Sequence, residues 1–183
     1  VAAADARATI EDMLGGRYRS RPLERMYRGG FPIHSQVQVS LGVKRDLSAE
    51  PTWVVHLPRE PYRFLNEERD TLVVKQFGFD PTLAPPGHSV AEMTFRMAYR
   101  YFERIYRNRL YHAEQAQLAG QALEQLERVW PGIGSDVEVT DVATPVSYER
   151  YTGNWQGSSC GWLLTTKSMP RMISGLPHRL PGL

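Results

Sequence analysis

The most restrictive feature of the chain is the run Gln36–Val43, QVQVSLGV, in which small or polar residues alternate strictly with aliphatic ones. Side chains change face at every residue of a strand, so Val37, Val39, Leu41 and Val43 point one way and Gln36, Gln38, Ser40 and Gly42 the other. A helix would scatter the same aliphatics around its axis. One face of this strand therefore belongs to a core, and the other meets water or a cavity. Trp53–Leu57, Thr71–Phe77 and Ser89–Met97 are further β-rich runs, and Val137–Val142 reads as the last strand. Between Phe77 and Ser89, Asp80-Pro81 and Ala84-Pro85-Pro86-Gly87 make a rigid, turn-rich connection. Its prolines cannot join a central ladder, which puts the loop at a sheet edge. The charged stretch Pro58–Asp70 reads as loop.

Helical periodicity dominates Tyr99–Trp130, with a break expected near Asn108. Leu118, Ala122, Leu126 and Val129 form one stripe with Ala119, Leu123 and Trp130 alongside, while Glu114, Gln117, Glu124 and Arg128 face away. Pro131-Gly132 terminates it. Near the start, Val1–Ala4 reads as a short strand, Asp5 as the cap of a helix, Ile10, Met13 and Leu14 as its apolar face, and Gly15-Gly16 as its stop. Strands joined by wide loops, a long helix and a returning strand predict an α+β fold: a mainly antiparallel sheet with helices packed on one face.

Two arginine runs leave alternatives open. Arg17, Arg19, Arg21, Arg25 and Arg28 surround Tyr18, Leu23, Met26 and Tyr27, and Arg100, Arg104, Arg107 and Arg109 recur at helical spacing. The first run is a solvated face whose stems cover apolar surface, or a site for phosphate or a membrane surface, and the second a surface stripe or a phosphate contact. The net charge is only +2 and no recognition motif accompanies the arginines, so no nucleic-acid partner is expected. Cys160 is the single cysteine, which excludes an internal disulfide framework. His34, His56, His88, His112 and His178 lack metal-ligand spacing, and no metal site is expected. There is no GxSxG, P-loop, HExxH or GxGxxG. No apolar run reaches the roughly 20 residues that cross a bilayer and none reads as a secretory signal, so a cytoplasmic location is expected.

The stretch Asp141–Trp162, DVATPVSYERYTGNWQGSSCGW, is the most distinctive. Thr144 suits an N-cap, Pro145 the first helical position, and Gly153 the left-handed residue that ends about two turns. Gly153, Gly157 and Gly161 then follow at four-residue spacing around Trp155 and Trp162. The pattern is that of a surface loop with two anchoring tryptophans, or of backbone brought close to a flat partner beside rigid apolar indoles.

This stretch resembles the segment near the C-terminus of phytoene desaturase-like flavoproteins, relatives of retinol saturase, carotenoid isomerase and, more distantly, the amine oxidases. VAAADARATIEDMLGG (Val1–Gly16), VQVSLGVKRDLSAEP (Val37–Pro51), FDPTLAPPGHS (Phe79–Ser89) and LERVWPGI (Leu126–Ile133) resemble the same family in the same order. The resemblance implies the substrate-binding part of a two-domain FAD-dependent oxidoreductase. Such enzymes desaturate, saturate or isomerise C–C bonds of long apolar isoprenoids of the carotenoid type.

By resemblance, residues 1–16 are the junction leaving the FAD domain, 17–162 the substrate-binding domain, and 163–183 an irregular tail leading toward a further FAD-binding segment. Ala4, Asp5, Trp155, Gly157 and Ser158 would lie nearest the flavin. Tyr151, Asn154, Trp162, Gln38 and Ser40 would face the substrate. None of these is a general base, and no catalytic residue is assigned. Tyr148, Arg150 and Tyr151 also read as structural, and Cys160 as incidental. The family carries GxGxxG at its N-terminus, and this chain, which opens at Val1, is expected to be an excised segment that neither holds FAD tightly nor turns over alone. Its partners would be the remainder of its own chain and a lipophilic substrate. That substrate makes peripheral membrane contact reasonable, and the uncovered sheet face makes a homodimer so. The competing expectation is a non-catalytic lipid- or polyene-binding module.

Overall fold

A computed structural model describes residues 4–108, 110–166 and 168–169. In chain order the elements are α1 (Ala6–Ala8, continued by a π-helical turn over Thr9–Met13), α2 (Arg21–Arg25, continued likewise over Met26–Gly30), β1 (Ile33–Val43), β2 (Trp53–His56), β3 (Tyr62–Phe64), β4 (Glu67–Arg69), β5 (Leu72–Gln76) and β6 (Ser89–Arg96), then α3 (Tyr99–Arg107), α4 (Tyr111–Leu126), β7 (Val137–Ala143), α5 (Pro145–Thr152) and β8 (Ser158–Trp162). The fold is α+β, with a mostly antiparallel sheet. The chain forms two units, one of residues 37–96 and 100–144, the other of residues 1–36, 97–99 and 145–183.

The first unit carries the sheet, in the order β2-β5-β6-β1-β7. The alternation in β1 fixes which face is covered: Val37, Val39, Leu41 and Val43 are buried, while Gln38 and Ser40 are half-buried on the opposite face. The register Val74↔Met93 aligns the same face across β5 and β6. Phe95 of β6 stacks on Phe64 of β3 with ring centroids 3.7 Å apart. Phe102 and Ile105 of α3 and Leu118, Ala122 and Leu126 of α4 complete this core. Each fully buried side chain of this size contributes about 1.5–3 kcal/mol. The helical stretch breaks at Asn108, as the sequence suggested.

The second unit is built from sequence ends. Asp5 caps α1, its Oδ1 accepting from Arg7 N at 2.8 Å and Ala8 N at 3.1 Å. Ser20 caps α2 through Leu23 N at 3.4 Å. The opening residues of β1 pair with β8 in the register Ile33↔Trp162 and Ser35↔Ser158.

Several local expectations are corrected. Pro58–Asp70 is not all loop, because Tyr62 and Phe64 are buried in the β3–β4 hairpin. Val137–Ala143 is not the last strand, because β8 follows the Gly/Trp turn. Met13 is 67% exposed and does not share a buried face with Ile10; the π turn widens the helix and rotates it away. The Pro-rich loop joins β5 and β6, which are interior strands, so it lies at strand ends and not along an edge. In the first arginine run the helix begins only at Arg21. Val1–Ala3, Arg109, His178 and the tail from Pro170 lie outside the described residues. Among the described residues no helix is long and apolar enough to cross a membrane.

Candidate functional site

The second unit gathers most of the candidate residues around one concavity of about 310 Å³. Ala4 and Asp5 reach it from the N-terminal side, and Asn154, Trp155, Ser158 and Trp162 from the turn between α5 and β8. These two stretches are about 150 residues apart in sequence, and the fold makes both of them walls of one space.

The turn owes its form to crowded backbone. Gly157 is buried at φ 61°, and a Cβ on it would stand 1.9 Å from the carbonyl oxygen of Pro145. Its neighbour Gln156 is held at φ 52°, a left-handed conformation unusual for a residue with a side chain. Glu149 Oε1 accepts from Gln156 N at 3.1 Å, and the Ser35 hydroxyl donates to Gln156 O at 2.7 Å. The Tyr99 hydroxyl donates to the other oxygen of Glu149. Asn154 Nδ2 donates to Ser158 O at 2.9 Å, and Ser158 Oγ accepts from Gly161 N at 2.5 Å. The concavity is thus walled by backbone that its own side chains fix.

The rings of Tyr27, Trp155 and Trp162 line it, and Phe31 packs behind Trp162. Tyr27 lies 5.0 Å from Trp162 and 6.0 Å from Trp155, centroid to centroid, and Phe31 lies 6.1 Å from Trp162. Burial pushes the Tyr27 hydroxyl to a higher pKa, and the nearby Asp5 charge pushes it further, so the phenol stays neutral. Arg7 stacks on Trp155, its guanidinium carbon 3.6 Å from the ring centroid. His34 Nδ1 lies 2.8 Å from Ser159 Oγ, linking β1 to β8.

The remaining candidates lie elsewhere. Gly157 is buried beneath the turn, and Tyr151 is 80% exposed on α5. Gln38 and Ser40 belong to the other unit, where Gln38 Nε2 donates to Ser40 Oγ at 3.2 Å on the half-buried sheet face. Sequence reasoning missed Tyr27, Ile33 and Ser159 as lining residues. Tyr27 carried a signal, as an aromatic between arginines where a solvated face would prefer a polar residue. Ser159 carried none. Among the described residues no group of three or more His, Cys, Asp and Glu side chains is arranged to hold a metal ion.

The lining suits a flat, largely apolar group against indole and phenol rings, with Ser158 and Ser159 as its hydroxyl residues. Its volume is at the small end of ligand pockets, enough for the edge of a ring system but not for a whole dinucleotide. Comparison of the sequence with protein-family models and with curated proteins gives no match.

Proposed function

We propose that these residues are the substrate-side part of an FAD-dependent oxidoreductase of the phytoene desaturase-like type, acting on C–C double bonds of a long apolar isoprenoid. The observation that carries the reading is the shared concavity. Ala4 and Asp5 on one side, and Trp155 and Ser158 on the other, are expected near the flavin from separate motifs, and all four line one aromatic-walled space, whereas Gly157 does not. Its residues fit one edge of an isoalloxazine ring, with Trp155 and Trp162 offering flat apolar surface and Ser158 a hydroxyl. When bound, the flavin accepts or returns hydride; the chain's part is to position it and exclude water. The pyrophosphate of FAD would need a strand–GxGxxG–helix, which these residues do not contain. The reading therefore assigns it to other residues of the same polypeptide.

The test is the complete reading frame. Its product should purify with non-covalent FAD, released on heating and recognised by its visible absorption. Trp155→Ala should lower that occupancy, and the 183-residue chain alone should retain none. A complete product that purifies colourless, or a start codon immediately before Val1, overturns the proposal in favour of a non-catalytic polyene-binding module.

A further inference from the structure

On another side of Trp155 is a second concavity, of about 300 Å³, that the flavin reading leaves unexplained. Ile10, Leu23, Tyr27 and the Trp155 indole give it apolar walls, and three arginines border it. Two of these are neutralised within the protein. Arg19 Nε donates to Glu11 Oε2 at 2.5 Å, and Arg28 stands 3.7 Å from Glu24. Arg7 differs from both: among the described residues no carboxylate forms an ion pair with it. Its Nη1 is buried without an acceptor, and so is the Trp155 Nε1 beside it. A buried donor without a partner costs about 1–3 kcal/mol. The concavity is therefore bordered by one guanidinium without an ion-pair partner, next to apolar surface.

The sign of that charge is specific to this concavity. A third depression around Trp155 is bordered by Asp5, Glu11, Asp12 and Glu149 against Arg7 and Arg19, and it repels anions. A phosphate dianion would need a second free cation, which this site lacks once Arg19 and Arg28 are paired. A monoanion matches. The guanidinium sits at stacking distance over the indole, 3.6 Å from its centroid. A carboxylate pairs with a guanidinium through two parallel bonds, and Ile10, Leu23 and the Trp155 indole offer apolar surface beside it to a planar body.

We infer that this concavity binds an aromatic or conjugated monocarboxylate, its carboxylate held by Arg7 and its planar body against Trp155, Ile10 and Leu23. The inference is independent of the flavin reading, and its test uses the 183-residue chain without flavin. Calorimetric titration with 2-naphthoate and with the neutral 2-naphthalenemethanol separates charge from shape. The acid should bind at least about tenfold more tightly than the alcohol, and Arg7→Gln should erase the difference. Glu11→Gln frees Arg19 and should tighten naphthoate binding by roughly threefold or more. A gain of that kind cannot arise from misfolding. Equal binding of acid and alcohol, binding of neither, an acid preference surviving Arg7→Gln, or no gain in Glu11→Gln would each overturn the inference.

Discussion

Replacing Gly157 by alanine perturbs the turn at its tightest point. The new methyl carbon would stand 1.9 Å from the Pro145 carbonyl oxygen, 2.6 Å from its carbonyl carbon and 2.8 Å from its Cα, against a floor of 3.0 Å for real contacts. The obstacle is backbone, and Pro145 opens α5 with its φ locked by the ring, so it yields little. Left-handed φ at a residue bearing Cβ costs about 1–2 kcal/mol, and forcing backbone apart by about 1 Å adds roughly 1–3 kcal/mol. Gly153 and Gly161 separate the two terms. They also have positive φ, 71° and 77°, but a Cβ on either meets nothing within 4 Å. Gly153→Ala and Gly161→Ala should therefore cost only the conformational part, about 1–2 kcal/mol. Urea unfolding followed by tryptophan fluorescence, with hydrogen exchange across Ser158–Trp162, measures all three. At a urea dependence of about 1–3 kcal/mol per molar, the midpoint of Gly157→Ala should fall below the other two by roughly 1 M. Three alanines within about 0.5 kcal/mol of each other would show that the contact with Pro145 does not govern the turn.

Two further perturbations test separate parts of the fold. Asp5→Ala removes the acceptor for Arg7 N and Ala8 N; the helix start should lose about 1 kcal/mol, read as faster amide exchange at those two residues, and unchanged exchange would contradict the cap. Tyr62 is 5% exposed and its hydroxyl donates to Thr71 O at 2.9 Å. Burial, the main cause, raises its pKa from 10.0 to about 12, so folding favours the neutral phenol. Its stabilising effect is complete below pH 10 and is lost as pH climbs toward 12, at about 1.4 kcal/mol per unit. Tyr62→Phe should remove roughly one third of the loss over that interval, because Tyr101, raised to about 12 by burial and its bond to Glu114, and Tyr27, raised by burial and Asp5, keep their own slopes. An equally steep loss in the variant would refute the assignment.

What could be read from sequence follows physical rules. The alternation in β1 and the stripe Leu118–Leu126 were legible because one face of each meets the core and periodicity records burial. β3 and β4 were not, because Arg63, Glu67, Glu68 and Arg69 swamp the two apolar residues that anchor the hairpin. Leu65 N donates to Gln121 Oε1 at 2.8 Å from α4, an interaction no local pattern can announce. β8 was hidden by Ser158, Ser159 and Gly161, poor strand formers that become a strand because β1 supplies the ladder. At the site, Asp5, Trp155 and Trp162 stood out by residue type and motif. Arg7 did not, since an arginine early in a helix is ordinarily solvated, and only folding stacks it on an indole 148 positions away.

Gln156 explains why that stack persists. A left-handed residue with a side chain is held only where its surroundings over-determine it. Here Glu149 fixes its N–H, Ser35 fixes its carbonyl, and Tyr99 fixes Glu149. Three separate stretches of the second unit thus converge on one peptide, with Trp155 on one side and Gly157 on the other. The backbone that carries the indole cannot shift without breaking these bonds or moving Gly157 against the Pro145 carbonyl. A lid would need the opposite, weak local bonds and open space. The backbone behind Trp155 is therefore preformed, and the Arg7 guanidinium packs over the indole it carries.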